Sequence, residues 1–296
     1  MLLFIAFGGC VANELSQSWQ LDRLRILGAQ VTPAEPRPSD KVSFTSLVYT
    51  PIETTLDSVL LFACLPTDSS AFGCTIDPSL FNNFESIEDL TPDEQLALFT
   101  QLQESGFAGV EPDFLMGWDV PENALDGLSE EERQEGISAL LSLTTIPSDG
   151  SASNSVEDIQ DGDVELAYKR FPISESDQPN QNPTITSFLI DETTYAEGET
   201  LRVLAGGTYT IDVQLSEDSI ESYSYTPPTG IVETRYEEPY FLWYTEGGYL
   251  LQPFSLYPYG AEWTAPEKEW SGKIIVVIRD RRGGLDWHWL QVEVEQ

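Results

Sequence analysis

The sequence predicts a mainly β chain of two β-sandwich domains, the first carrying an acidic helical insertion. Three observations lead there. Short runs that alternate apolar and polar residues recur along most of the chain, the mark of strands with one buried face. Helix start signals cluster in one acidic region, about 85–135. Beyond residue 184, strand-like runs follow one another closely with no strong helix between them.

The first domain is read over 23–173. Arg25–Val31 is its first strand, and Pro33, Pro36 and Pro38 then interrupt pairing, as at a sheet edge or a strand-switching bend. Lys41–Tyr49 alternates with period two, and Ser58–Cys64 follows as a core strand. A strand, a Pro-rich bend, a long alternating strand and a cysteine-bearing strand are how an Ig-like sandwich begins. Helical signals then take over. Thr91-Pro-Asp-Glu94 has the capping-box form with Pro92 at the first helical position, and Leu96, Phe99 and Leu102 recur at helical spacing until Gly106. A second box, Ser129-Glu-Glu-Glu132, starts a short helix that Gly136 stops. Strands resume at Ile137–Ile146 and Val164–Pro172, separated by a polar loop around 148–155.

Residues 174–183 are rich in Pro, Asn, Gln and Ser and read as a linker. The second Ig-like domain, 184–296, has strand patterns at Thr184–Ile190, Thr200–Leu204, Tyr209–Leu215, Tyr240–Tyr244, Lys273–Arg279 and Leu285–Val294. Trp243 is placed like the core tryptophan of an immunoglobulin sheet. The ending Gly272–Trp287 holds two strands about a turn in which Gly283 and Gly284 can take positive φ. This hairpin resembles the last one of PKD-type and related bacterial Ig-like domains.

The start, Met1-Leu-Leu-Phe-Ile-Ala-Phe-Gly-Gly-Cys10, is a short apolar block running into a cysteine. It resembles the lipobox of bacterial lipoproteins, with Phe7 where leucine is usual. The resemblance implies that Cys10 is lipidated, that residues 1–10 are the end of an export signal, and that 11–22 form a tether. No basic residue precedes the block, so the start codon is expected to lie farther upstream. About 20 apolar residues are needed to span a bilayer, so the block is an address and not a span. Together the two resemblances imply a bacterial surface lipoprotein with tandem Ig-like domains, outside the cytoplasm and held to a membrane by its N-terminal lipid. Cys64 and Cys74 bracket a short loop that a local disulfide closes, as suits an oxidising compartment. A pair of metal ligands is the alternative, but His288 is the single histidine and carboxylates would have to complete the site.

Charge narrows the partners. With 50 acidic against 14 basic residues the net charge is −36, and Val42 to Glu132 holds no Lys or Arg. Such a polyanion repels phosphates, which excludes nucleic acid as a partner. Salt adaptation is the plainer origin of this surface. Ca²⁺ binding by clustered carboxylates is the sharper one, and no calcium-loop spacing supports it. No cofactor motif is present. Asp280 and Asp286 flank the last hairpin as a PKD-like cation site would, though three neighbouring arginines oppose a cation there.

For chemistry the sequence offers little. His288 has no nucleophile motif to serve, and acids are too numerous for any pair to mark a hydrolase. The chain is therefore expected to be a non-enzymatic binding or spacer protein, with a protein or polysaccharide as partner. Tyr257, Tyr259, Trp263 and Trp270 lie in or beside a Pro/Gly-punctuated stretch and are candidate ligand-binding rings for a carbohydrate- or wall-binding module. Arg279, Arg281 and Arg282 are a candidate docking cluster, expected to meet the acidic insertion or a neighbouring molecule.

Overall fold

The computed structural model describes residues 17–51, 56–66, 74, 91–147, 164–225 and 230–296. Cys10 with its apolar leader, most of the Cys64–Cys74 loop and the stretch 148–155 lie outside the described residues.

Domain 1 runs in order β1 (Arg25–Thr32), β2 (Lys41–Tyr49), β3 (Leu56–Cys64), α1 (Pro92–Glu104), β4 (Phe107–Glu111), β5 (Phe114–Leu115), β6 (Trp118–Asp119), α2 (Glu130–Glu135), β7 (Ile137–Pro147) and β8 (Leu166–Ile173). Backbone pairing gives one sheet β1-β2-β6 and another β5-β4-β3-β7-β8. Val31, Val42 and Phe44 of the first sheet meet Leu61, Leu141 and Phe171 of the second in one core. The order is Ig-like, strands A-B-E facing C′-C-F-G, with the two-residue β5 added beyond C′. A disulfide joins Cys64 at the end of β3 to Cys74, with Cα atoms 5.6 Å apart.

Both expected capping boxes form, Thr91 with Glu94 and Ser129 with Glu132. The region between them corrects the sequence reading. It is not wholly helical: β4 pairs with β3, and β6 pairs with β2 at Val42. The apparent insertion thus supplies β4 and β5 to one sheet and β6 to the other. Strands of five and two residues are too short to display a period, so only the helices announced themselves.

Domain 2 contains β9 (Ile185–Ile190), β10 (Thr193–Tyr195), β11 (Thr200–Leu204), β12 (Thr208–Leu215), β13 (Ser222–Tyr225), β14 (Glu233–Tyr236), β15 (Tyr240–Thr245), β16 (Tyr249–Leu250), β17 (Phe254–Leu256), β18 (Ala261–Thr264), β19 (Trp270–Arg279) and β20 (Leu285–Glu295). One sheet is β10-β9-β12-β18-β16, the other β11-β20-β19-β15-β17, and β13-β14 is a separate hairpin. β11 pairs parallel to β20, as the switched first strand of many Ig-like domains pairs with the last. Trp243 is fully buried between the sheets and donates from Nε1 to Ser255 Oγ at 3.0 Å.

The two domains share a core. Ile274 to Ile278 on β19 is an unbroken apolar run because both faces are covered. Ile274, Val276 and Ile278 fill domain 2, while Ile275 and Val277 turn outward to meet Leu27 and Tyr49 of domain 1. Gly28 on β1 permits the approach: a Cβ there would stand 3.2 Å from Leu285 Cδ1.

Two connecting segments also differ from expectation. The tether was read to residue 22, yet Trp19 is buried in the core of domain 2. Thr245 N–H donates to Trp19 O at 3.1 Å and Leu21 N–H returns a bond to Thr245 O at 2.9 Å. Nor is 174–183 a loose linker. Ser174 and Asn180 are buried, and Asn182 accepts from Leu285 N–H at 3.0 Å and donates to Val31 O at 2.8 Å, tying β20 to β1. Polar composition marked these residues as solvated, whereas their side chains serve backbone groups between the domains. No helix among the described residues is long and apolar enough to cross a membrane.

Candidate functional site

The β19-β20 hairpin is the centre of the domain joint. Its turn is organised by Asp280, which is buried. Asp280 Oδ1 accepts the N–H groups of Arg282, Gly283 and Gly284 at 2.7, 2.9 and 2.9 Å, and Oδ2 accepts from Asn180 Nδ2 at 2.8 Å. The expected pair of positive-φ glycines is only half correct. Positive φ falls at Arg281 (70°) and Gly283 (121°). Gly284 is needed for space, since a Cβ there would lie 2.0 Å from Asp280 Oδ2.

This turn aims Arg282 into a nest of carboxylates. Its guanidinium lies 3.0 Å from Glu237, 3.4 Å from Glu221 and 3.4 Å from Glu35, and it covers the Tyr223 ring at 4.6 Å. Glu35 belongs to the Pro-rich bend of domain 1 and also accepts from Ser174 Oγ and from Asn180 N–H. The arginine's partner in domain 1 is therefore the bend and not the acidic insertion. Burial pushes the Glu237 carboxyl up to about 7 against the downward pull of Arg282. A raised carboxyl beside other acids is what a hydrolase would need. Here the side chain is 1% exposed and ion-paired, so it has no access to substrate.

On the opposite side of the turn lies a cleft of about 260 Å³ between β1, β8 and the hairpin. Lys169, Arg170, Arg279 and Arg281 line it, and no Asp or Glu does among the described residues. Lys169 alternates with Ala167 and Phe171 on β8, so it turns toward the interior although β8 is an edge strand. Its Nζ donates to Gly283 O at 2.6 Å. Burial, with Arg279 adding to it, pulls the Lys169 ammonium down to about 8. Arg279 reaches Leu27 O at 3.4 Å, and its buried Nε has no hydrogen-bond partner. Arg281 stands at the mouth, 3.3 Å from Glu238 and 5.9 Å from the Tyr240 ring centre. Lys169 escaped the sequence reading. Its signal was a charge at an inward position of an alternating strand.

The four aromatic candidates divide. Tyr257 and Tyr259 are exposed, at 43% and 73%. Trp263 is not available: it is fully buried on β18 and donates from Nε1 to Gly247 O at 3.0 Å. Pro and Gly signalled a loop locally, but Ala261–Thr264 pairs with β12 and places this ring inward. Trp270 packs against the core, over Gly247 and Gly272, where a Cβ would lie 2.5 and 2.2 Å from its ring. Tyr249 on β16 and Phe254 on β17 are also exposed, at the edges of the two different sheets.

The two hairpin carboxylates are engaged, while the buried Nδ1 of His288 has no hydrogen-bond partner. Asp286 Oδ2 accepts from Ile185 N–H at 2.8 Å, and with Asp280 likewise saturated the two offer a cation little. Among the described residues no group of His, Cys, Asp and Glu is arranged to hold a metal. His288 stacks near Phe188, ring centres 6.4 Å apart.

No family model matches the chain, and no curated protein does. Among solved structures it is similar to fibronectin(III)-like modules of Clostridium thermocellum CbhA, at 10% identity over 91% of this chain and 95% of that one, with a TM-score of 0.22. It is also similar to native alpha-2-macroglobulin of E. coli, at 12% identity over 92% of this chain and 17% of that one, with a TM-score of 0.23. Superpositions of this depth carry no argument. The sandwich assignment rests on the strand order.

Proposed function

We propose that the chain is a non-enzymatic, lipid-anchored extracytoplasmic binding protein whose two Ig-like sandwiches act as one stiff unit. The observation that supports this reading is the domain joint. An apolar patch shared by both domains lies beside a buried clasp in which Arg282 meets acids from both sides. Tandem domains with small contacts move freely by default. A joint sealed by apolar packing and desolvated ion pairs instead fixes the distance and angle between what the two ends present. The lipid enters through the lipobox-like run that ends at Cys10.

Membrane fractionation tests the anchor. Parent protein should partition with membranes and Cys10→Ala should be released; equal partitioning of both sinks the anchor. Small-angle scattering tests the stiffness, with one fixed separation between the domains expected and a broad distribution refuting it.

A second reading, carbohydrate binding, draws on the exposed rings of Tyr249, Phe254, Tyr257 and Tyr259. Co-sedimentation with insoluble polysaccharide should then fall at least tenfold in Tyr259→Ala. Unchanged binding, or none in the parent, removes it.

A further inference from the structure

The cleft beside the clasp departs from the rest of the molecule in charge. Basic residues number 14 in the whole chain against 50 acidic ones. Four of those 14 line this one cleft, and no carboxylate does among its described lining residues. Glu35, Glu221 and Glu237 are gathered on the other side of the turn, around Arg282, while Glu238 pairs with Arg281 and Asp280 acts on Lys169 from the turn. One inward lysine has a simple explanation, because a charge pointing inward on an edge strand discourages edge-to-edge pairing. That accounts for Lys169 on β8. It leaves unexplained why Arg279 and Arg281 converge on the same space from the other domain.

The polar geometry adds a second argument. Lys169 has one neutral acceptor, Gly283 O at 2.6 Å, and no carboxylate within ion-pair distance among the described residues. Asp280 attracts the ammonium only from beyond that distance, and a buried cation without a paired counter-ion is costly. Beside it the Nε–H of Arg279 is buried with no acceptor. An occupant that brings negative oxygens would supply the paired counter-charge that Lys169 lacks.

We propose that this cleft binds a small multivalent oxyanion, a molecule carrying carboxylate or phosphate groups, with Lys169 and Arg279 on its floor and Arg281 at its mouth. A volume of about 260 Å³ suits a compact metabolite or the charged end of a longer one. Apolar Ile26 to Ala29 of β1 form one wall and the Tyr240 ring another, which leaves room for a short carbon skeleton. The site is closed by residues of both domains, so the ligand would also brace the joint. The inference stands on the cleft and does not depend on the lipid anchor.

Lys169 provides a readout that a merely structural lysine would not. It is faced by Arg279 and Asp280 from the hairpin; Arg170 and Arg281 also line the cleft, while β1 presents no charge there. An arriving anion raises its affinity for a proton. Above about pH 8, binding should therefore be accompanied by proton uptake.

Calorimetric titration of the full chain with citrate and, separately, inorganic phosphate tests this. Binding of one molecule per chain with Kd below about 1 mM is expected for at least one of them. The stronger ligand identifies carboxylate or phosphate as the preferred chemistry. Lys169→Met and Arg281→Ser should each weaken binding at least tenfold, while Arg202→Ser, on the far strand β11, should not. Titrations at about pH 8.5 in buffers of different ionisation heat should show proton uptake. If Lys169→Met fails to fold, Arg281→Ser and the proton uptake decide the matter. No binding of either anion overturns the proposal, and so does binding that all three variants retain, which is an adventitious ion only.

Discussion

Arg282 gathers carboxylates from Glu35 in domain 1 and from Glu221 and Glu237, which flank the β13-β14 hairpin of domain 2. Removing one partner of a buried ion pair costs roughly 3–5 kcal/mol, because the other charges stay behind without compensation. Arg282→Ala should lower the unfolding free energy by about that much in urea denaturation. Arg282→Lys should recover only part of it, since an ammonium cannot match the guanidinium fork. A fully stable Arg282→Ala chain would mean that water already shares the nest. Glu237 makes the same site sensitive to pH. Its folded carboxyl titrates at about 7, against an ordinary 4.5. The folded state thus keeps a proton that the unfolded chain has released. Stability from this group is full below about pH 4.5, falls as pH rises to about 7, and is flat beyond, a change on the order of 3 kcal/mol. Denaturation curves at about pH 5 and pH 7.5 should show the loss, and Glu237→Gln should abolish its slope. An unchanged slope in that variant would assign the effect to other acids.

At the scale of elements, the segment around Trp19 behaves as an extra strand end of domain 2. Truncating a buried aromatic costs roughly 3–5 kcal/mol. Trp19→Ala should destabilise domain 2 by that amount and accelerate hydrogen exchange of the Thr245 amide, which donates to Trp19 O. Slow exchange of that amide in the variant would show the segment to be held by other contacts. The sequence made some elements readable and hid others for definite reasons. β2 and β20 are long enough for alternation to appear, and the capping boxes at Thr91 and Ser129 are local signals. β4, β6 and β16 to β18 run for two to five residues and hold no period. The joint was illegible because its acids and amides, Glu35, Asn180 and Glu237, look like surface residues until distant stretches meet. One clue was present: Ile274 to Ile278 has no polar residue, which a strand with one solvated face would not tolerate. In the site, the arginines were visible as a cluster, but their partition into a clasp and a cleft depends on the turn that Asp280 builds.

Across the whole molecule, the net charge of −36 makes compactness costly at low ionic strength. The Debye length falls from about 30 Å at 0.01 M salt to about 3 Å at 1 M. The melting temperature should therefore climb by several degrees over that range. Arg282→Ala should climb in parallel, because buried pairs feel little screening. A melting temperature independent of salt would refute self-repulsion as a leading cost. The route of the chain has one more consequence. It touches domain 2 at Trp19, crosses to build domain 1 from β1, and only then returns to complete domain 2. Tension applied ahead of Trp19 would thus enter through domain 2, where Gln20 pairs in parallel with Thr245 and the contact is loaded in shear. The chain runs on from that contact into β1, so domain 1 takes the load only once the contact yields.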